Sequence, residues 1–204
     1  VGINDDEFGK KHPLTCNASC TTNSVAPVIK ILLENFGVKK AMMTTVHGYT
    51  ATQKLVDGPD AKDPRRGRAA AVNIVPSTTG AAEAVIQSIP ELEGKFQAES
   101  IRVPTITGSI SVTTALVEKK TTREAVNDVF KKAAKDSRWS KILKVTEDPI
   151  VSSDIVGEPY GAITDLSLTQ VLGNDLVKVF SWYDNEAGYT ATLVEHVRMV
   201  AESL

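Results

Sequence analysis

The chain has 204 residues, 42% hydrophobic and 24% charged, an ordinary balance for a globular chain with enough length to bury a core. Its 23 Lys and Arg against 25 Asp and Glu leave a net charge of −2, which argues against a nucleic-acid partner held through phosphate contacts. With two cysteines, Cys16 and Cys20, neither a disulfide scaffold nor a four-ligand zinc site is expected, and no metal site is predicted.

Val1 to Asn4 reads as a strand entered partway, and Asp5 to Pro13 as a polar loop broken at Gly9 and Pro13. This acidic start has no basic and apolar leader pattern, and no apolar run reaches membrane-spanning length; a cytoplasmic setting without a membrane partner is expected. After Asn17-Ala18-Ser19-Cys20-Thr21-Thr22-Asn23, the residues Val25, Val28, Ile29, Leu32, Leu33 and Phe36 recur at helical spacing as far as Gly37. The start of that helix stays open, because one beginning at Cys20 would contain Pro27 and be kinked there. Val38 to Tyr49 predicts a strand with His47 near its end. Thr50 to Ala71 predicts a long polar loop, and loops of that length are usually functional. Asn73 to Thr79 leads into a helix from Gly80, with Ser77, Thr78 or Thr79 as its N-cap. Strands follow over 96–105 and 109–118, joined by the Ile106-Thr107-Gly108 turn. Thr121-Thr122-Arg123-Glu124 is a capping-box pattern for a helix that carries Val126, Val129, Phe130 and Ala133 on one face. Further strands are predicted at 141–145, 162–171 and 176–183, before a closing helix from Glu186 to Leu204. Strands in succession between helices indicate an α+β fold with a mixed or antiparallel sheet. None of the 13 glycines forms a Gly-x-Gly, so the dinucleotide-binding fingerprint is absent.

Two readings of Cys20 stand side by side. A free cysteine is often a small, inert core residue. At a helix N-terminus, however, unpaired backbone N–H groups favour a thiolate, and Ser19, Thr21, Thr22 and Asn23 are poor core neighbours but good anion or capping partners. A nucleophilic thiol needs a base. His12 lies in a polar loop beside Lys11 and His196 follows Glu195 in the last helix, so both read as surface residues. His47, at a strand end opening the long loop, is the candidate base, with a structural histidine as the other reading. Ser77-Thr78-Thr79-Gly80 is either an oxyanion site or an ordinary N-cap. Arg102, between Ile101 and Val103, either faces solvent or pairs with an anion. Arg65-Arg66-Gly67-Arg68 reads as a solvated loop or a subunit contact.

Five separated segments give these residues a common context: NASCTTN at 17–23, MTTVHGYTATQKLVDGP at 43–59, STTGAAEA at 77–84, RVPT at 102–105 and SWYDNEAGY at 181–189. In their order and separations the chain resembles the phosphorylating glyceraldehyde-3-phosphate dehydrogenase family. The resemblance runs through nearly all of the chain and corresponds to the family's catalytic C-terminal part, which follows a nucleotide-binding domain of roughly 150 residues. It implies an α+β domain over 1–204, a mixed, largely antiparallel sheet with helices on one face, and flanking segments 1–19 and 186–204 that contact the nucleotide-binding domain. It implies that Cys20 forms a thioester and that His47 is the general base that keeps the thiol ionised. Thr50 and Arg102 would hold the substrate's C3 phosphate, and Ser19, Thr21, Thr79 and Gly80 the inorganic phosphate. Asn185 would bond the nicotinamide carboxamide, with Glu186 and Tyr189 beside it. NAD is the implied cofactor, and Gly58-Pro59 resembles the loop of NAD-using members; the choice against NADP rests on the nucleotide-binding domain. The implied partners are glyceraldehyde 3-phosphate, inorganic phosphate and further copies of the chain in a homotetramer, with loop 50–71 lining a neighbour's cofactor pocket. This portion by itself is expected to be inactive. The alternatives are an erythrose-4-phosphate dehydrogenase of the same fold, a non-redox cysteine acyl transferase, and an assembly module. Thr114 stands where the family has an acid, Ser24 where a second cysteine is frequent, and Cys16 where serine is usual, which opens an oxidative pairing with Cys20.

Overall fold

Among the described residues seven strands pair into one sheet: β1 (Val38–Gly48), β2 (Val75–Ser77), β3 (Phe96–Val103), β4 (Ser109–Val117), β5 (Leu143–Thr146), β6 (Ala162–Leu172) and β7 (Leu176–Tyr183). Their order across the sheet is β2-β3-β1-β4-β7-β6-β5. The β1–β3 and β5–β6 pairs are parallel and the other four antiparallel, so the sheet is mixed and largely antiparallel as expected. Helices α1 (Cys20–Phe36), α2 (Ala81–Ser88), α3 (Arg123–Ala133) and α4 (Ala187–Glu202) complete the α+β fold of the described residues. The computed structural model describes residues 1–7 and 14–203; Gly9, His12 and Pro13 lie outside them.

Helix α1 organises the core. Ser19 caps it, its hydroxyl accepting the Thr22 N–H at 3.1 Å. Gly37, at φ 68°, ends it by donating its N–H to Leu33 O at 3.0 Å. The helix therefore does begin at Cys20 and holds Pro27 inside, where the missing N–H removes the bond to Asn23 O. Val25, Val28, Ile29 and Leu32 are fully buried, but so are Ala26 and Ile31 on other sides, because α1 is packed against the sheet and against α2, α3 and α4 at once. The sheet's inner face alternates with its outer one: Ser109, Ser111, Thr113, Ala115 and Val117 of β4 are buried while Ile110, Val112, Thr114 and Leu116 are half-buried.

Several expectations change. Val1 to Asn4 forms no strand: Gly2 turns at φ 77° and Asp5–Glu7 is a 3-10 turn. The strands over 96–105 and 109–118 are not a hairpin. β1 lies between β3 and β4, so residues 104–108 cross the end of β1, and Thr105 O accepts the Tyr49 N–H at 3.2 Å. This crossing brings Thr105 O to within 2.8 Å of where a Cβ on Gly48 would sit. Gly80 is the N-cap of α2 in place of a hydroxyl residue, although Thr79 Oγ1 accepts the Ala81 N–H at 3.2 Å. Among the described residues no helix is long and apolar enough to cross a membrane.

Candidate active site

Three element ends converge. The N-terminus of α1 delivers Cys20, and the parallel register of β1 and β3 sets His47 directly opposite Arg102. Just before the helix, Ala18 sits at φ 55°, a left-handed conformation that costs a residue with a Cβ about 1–2 kcal/mol. One cavity is lined by Ser19, Cys20, Thr21, His47, Thr50 and Arg102 together with Thr79 and Gly80. Eight of the candidate residues, from segments far apart in the chain, thus share one space.

Cys20 Sγ lies 3.4 Å from His47 Nε2. His47 is 2% exposed, and its Nδ1 is 2.6 Å from Gly48 O and 2.7 Å from the Arg102 guanidinium. Guanidinium only donates, so those two contacts demand opposite tautomers. With the proton on Nδ1, His47 donates to Gly48 O, Arg102 also reaches that carbonyl at 3.2 Å, and the Nε2 lone pair faces the thiol. With Nδ1 accepting from Arg102, Nε2–H donates to sulfur. Burial, helped by the charge of Arg102, pushes the imidazole down to about 4, so it is neutral near pH 7.

The thiol departs from expectation. Burial pushes it above its ordinary value, outweighing the backbone N–H groups of Thr21 and Cys20 and the Arg102 charge, which pull it down. The helix-terminal N–H groups act as the sequence suggested, but desolvation is larger. Burial thus favours the neutral forms of both the thiol and the imidazole.

The remaining residues divide. Thr50 Oγ1 bonds Thr52 Oγ1 at 3.0 Å on the rim, and Ser19 is exposed. Thr21 is buried, with its hydroxyl 3.1 Å from Tyr183 OH. Asn185, Glu186 and Tyr189 do not line the Cys20 cavity. Asn185 Oδ1 accepts the Gly108 N–H at 3.0 Å and lies 3.4 Å from the Thr107 and Ser109 hydroxyls. That fixes the amide, and Nδ2 makes no hydrogen bond to the described residues, so the side chain offers an oriented donor suited to an amide carbonyl. Glu186 is exposed and Tyr189 half-buried. Arg66, read as solvated or as a subunit contact, instead reaches Ser77 Oγ at 3.1 Å and Thr78 Oγ1 at 3.3 Å and braces the segment leading to Thr79 and Gly80. Only contact across ten residues of loop reveals it. Cys16 and Cys20 are both free thiols, and exposed Cys16 accepts the Ala18 N–H on sulfur at 3.1 Å. No group of three or more His, Cys, Asp or Glu among the described residues could hold a metal.

A family model described as the glyceraldehyde 3-phosphate dehydrogenase C-terminal domain matches residues 19–185. The chain belongs to the glyceraldehyde-3-phosphate dehydrogenase family. The matched span contains Cys20, His47, Arg102 and Asn185 and stops before Glu186 and Tyr189. The glyceraldehyde-3-phosphate dehydrogenase 2 of Streptomyces avermitilis is 48% identical over 205 residues, taking in 100% of this chain and 61% of that protein. The glyceraldehyde-3-phosphate dehydrogenase of Mycobacterium avium is 48% identical over 204 residues, 100% of this chain and 59% of that protein. The chain thus spans about three-fifths of the length of these glyceraldehyde-3-phosphate dehydrogenases.

Proposed function

We propose that this chain carries the catalytic machinery of a phosphorylating aldehyde dehydrogenase that converts glyceraldehyde 3-phosphate to 1,3-bisphosphoglycerate. The observation that carries this reading is the 3.4 Å Cys20–His47 pair inside a cavity with two different polar edges. Thr50 and Arg102 form one edge. Arg102 is half-buried and, among the described residues, has no carboxylate partner and is the one charged side chain lining the cavity, which suits a phosphate on the substrate. Ser19, Thr21, Thr79 and Gly80, at two helix starts, form the other edge for the attacking phosphate.

His47 Nε2 takes the thiol proton as Cys20 Sγ adds to the aldehyde carbon, and the imidazolium then donates a hydrogen bond to the new oxyanion. The low pKa of His47 returns that proton readily. NAD, when bound, supplies the hydride acceptor for the oxidation that leaves a thioester on Cys20. Asn185 Nδ2 is the donor that would hold its carboxamide, with Glu186 and Tyr189 beside it. Inorganic phosphate then attacks the thioester carbon, the carbon–sulfur bond breaks, and the acyl phosphate leaves Cys20 free. Segments 1–19 and 186–204 are read as the contacts to an NAD-binding domain; exposed Leu14, Val194 and Val197 supply an apolar surface for it. The outer sheet face, with Met42 exposed and Ile110, Val112 and Trp182 half-buried, is read as the subunit contact of a homotetramer located in the cytoplasm.

Alkylation of Cys20 by iodoacetamide, with exposed Cys16 as the internal reference, tests the site. Cys20 is expected to react faster than Cys16 and to lose that advantage in His47→Ala. In protein of the relatives' length, NADH formation from glyceraldehyde 3-phosphate, phosphate and NAD is expected to vanish in Cys20→Ser. Turnover that survives Cys20→Ser would overturn the assignment.

A further inference from the structure

Tyr183 is the bulkiest of the fully buried side chains among the described residues and does not line the Cys20 cavity. A phenol hydroxyl in such a place is costly unless paired. Its OH lies 3.1 Å from Thr21 Oγ1 and 2.7 Å from Thr45 Oγ1, and its ring stands edge-on to the His47 imidazole, with centroids 5.8 Å apart and planes at 73°. Thr21 follows Cys20 in the first turn of α1. Thr45 precedes His47 by two residues on the same face of β1. One side chain of β7 thus touches the helix that carries the thiol, the strand that carries the imidazole, and the imidazole itself.

The proton directions can be read. Thr45 Oγ1 donates to Ile110 O at 3.3 Å, so toward Tyr183 it accepts. Tyr183 OH therefore donates to Thr45 and accepts from Thr21. The three hydroxyls form a directed chain from α1 through β7 to β1. Stability by itself is a weak reason for it, since replacing buried hydrogen-bonded partners by apolar groups of the same shape can be nearly neutral. What the hydroxyls add is direction and distance between two elements.

We propose that Tyr183 is a positioning residue that holds Cys20 Sγ and His47 Nε2 at proton-transfer distance by tying α1 to β1 through Thr21 and Thr45. The proposal deepens the site described above and rests on the reading of Cys20 and His47 as nucleophile and base. A displacement of about 1 Å between reacting groups can cost about a hundredfold in rate, which is the scale on which such a tie acts. Burial raises the phenol far above its ordinary value, so it remains protonated and takes no part as acid or base.

The test is the pH profile of Cys20 alkylation by iodoacetamide, read by peptide mapping with Cys16 as the reference thiol. Tyr183→Phe keeps the ring and removes the hydroxyl. It is expected to slow Cys20 about tenfold near neutral pH, the loss of roughly one directed hydrogen bond. The deficit should disappear at alkaline pH, where hydroxide ionises the thiol without His47. Thr45→Val should reproduce this profile and Thr45→Ser restore the parent's. In a His47→Ala background Tyr183→Phe should have no further effect, because the tie acts through the imidazole. Ser24→Ala removes another buried hydroxyl of α1, bonded to Ser111 Oγ at 3.0 Å, and should leave the profile at the parent's. A Tyr183→Phe profile that overlays the parent's, or one lowered equally at every pH, overturns the proposal, as does an undiminished effect in the His47→Ala background. If Cys20 of the parent reacts no faster than Cys16, the nucleophile reading fails and this proposal falls with it; an activated Cys20 indifferent to Tyr183→Phe sinks the tie alone.

Discussion

Replacing His47 by Gln should remove a pH-dependent part of the protein's stability. The imidazole is pushed from its ordinary 6.5 down to about 4, first by burial and then by the Arg102 charge. Between those two values the unfolded chain binds a proton at residue 47 and the folded chain does not, so acid favours unfolding. Stability from this group is complete above pH 6.5, is lost as pH falls, and has gone by about pH 4. At about 1.4 kcal/mol per pH unit, the interval corresponds to about 3 kcal/mol. The group is 2% exposed, so solvent screening removes little of this. Urea unfolding at a series of pH values across that window, for the parent and for His47→Gln, measures it. The parent should lose about 3 kcal/mol more than the variant, while carboxylates and His196 titrate in both and cancel. Parallel curves for the two proteins would refute the burial of a neutral imidazole here, as would a His47 resonance titrating near its ordinary pKa.

Two further substitutions probe the surroundings. Arg102→Leu should raise the His47 pKa, followed by NMR, and in protein of the relatives' length should raise KM for the phosphorylated aldehyde about tenfold or more; an unchanged KM would remove Arg102 from the substrate site. Asp184 accepts the backbone N–H groups of Gly157, Glu186 and Ala187 at 2.8–2.9 Å; burial raises its carboxyl, but these bonds outweigh that and hold it below its usual value. Asp184→Ala should cost about 1–2 kcal/mol by leaving the N–H groups of Gly157, Glu186 and Ala187 without their acceptor, with Asp184→Asn milder, measured by urea unfolding.

Much of the framework was legible before any coordinates. The spacing of Val25, Val28, Ile29, Leu32 and Phe36 carries α1, since an apolar stripe at helical period has one way to reach a core. The β-branched runs at 162–171 and 176–183 fall on β6 and β7 within a residue at their ends. Composition and the motif segments together pointed to Cys20, His47 and Arg102 as candidates. Which strands pair was not legible. β1 inserts between β3 and β4 because pairing is a long-range choice, and a five-residue link reads the same whether it turns a hairpin or crosses a strand end.

By itself, then, the sequence determined most of the long helices and strands, though not the short β2 or the turn at Val1 to Asn4, and which side chains could carry the chemistry, because these follow from local period and residue type. Only the tertiary structure decided the charge state and company of those side chains. Desolvation around Cys20 outweighs the helix N-terminus, and burial beside Arg102 holds His47 neutral, effects set by neighbours distant in the chain. The same holds for Arg66 bracing Ser77 and Thr78, and for Tyr183 between Thr21 and Thr45. Hydrogen bonds between such separated residues have no period to betray them, since they exist only where the packed elements bring the groups within reach.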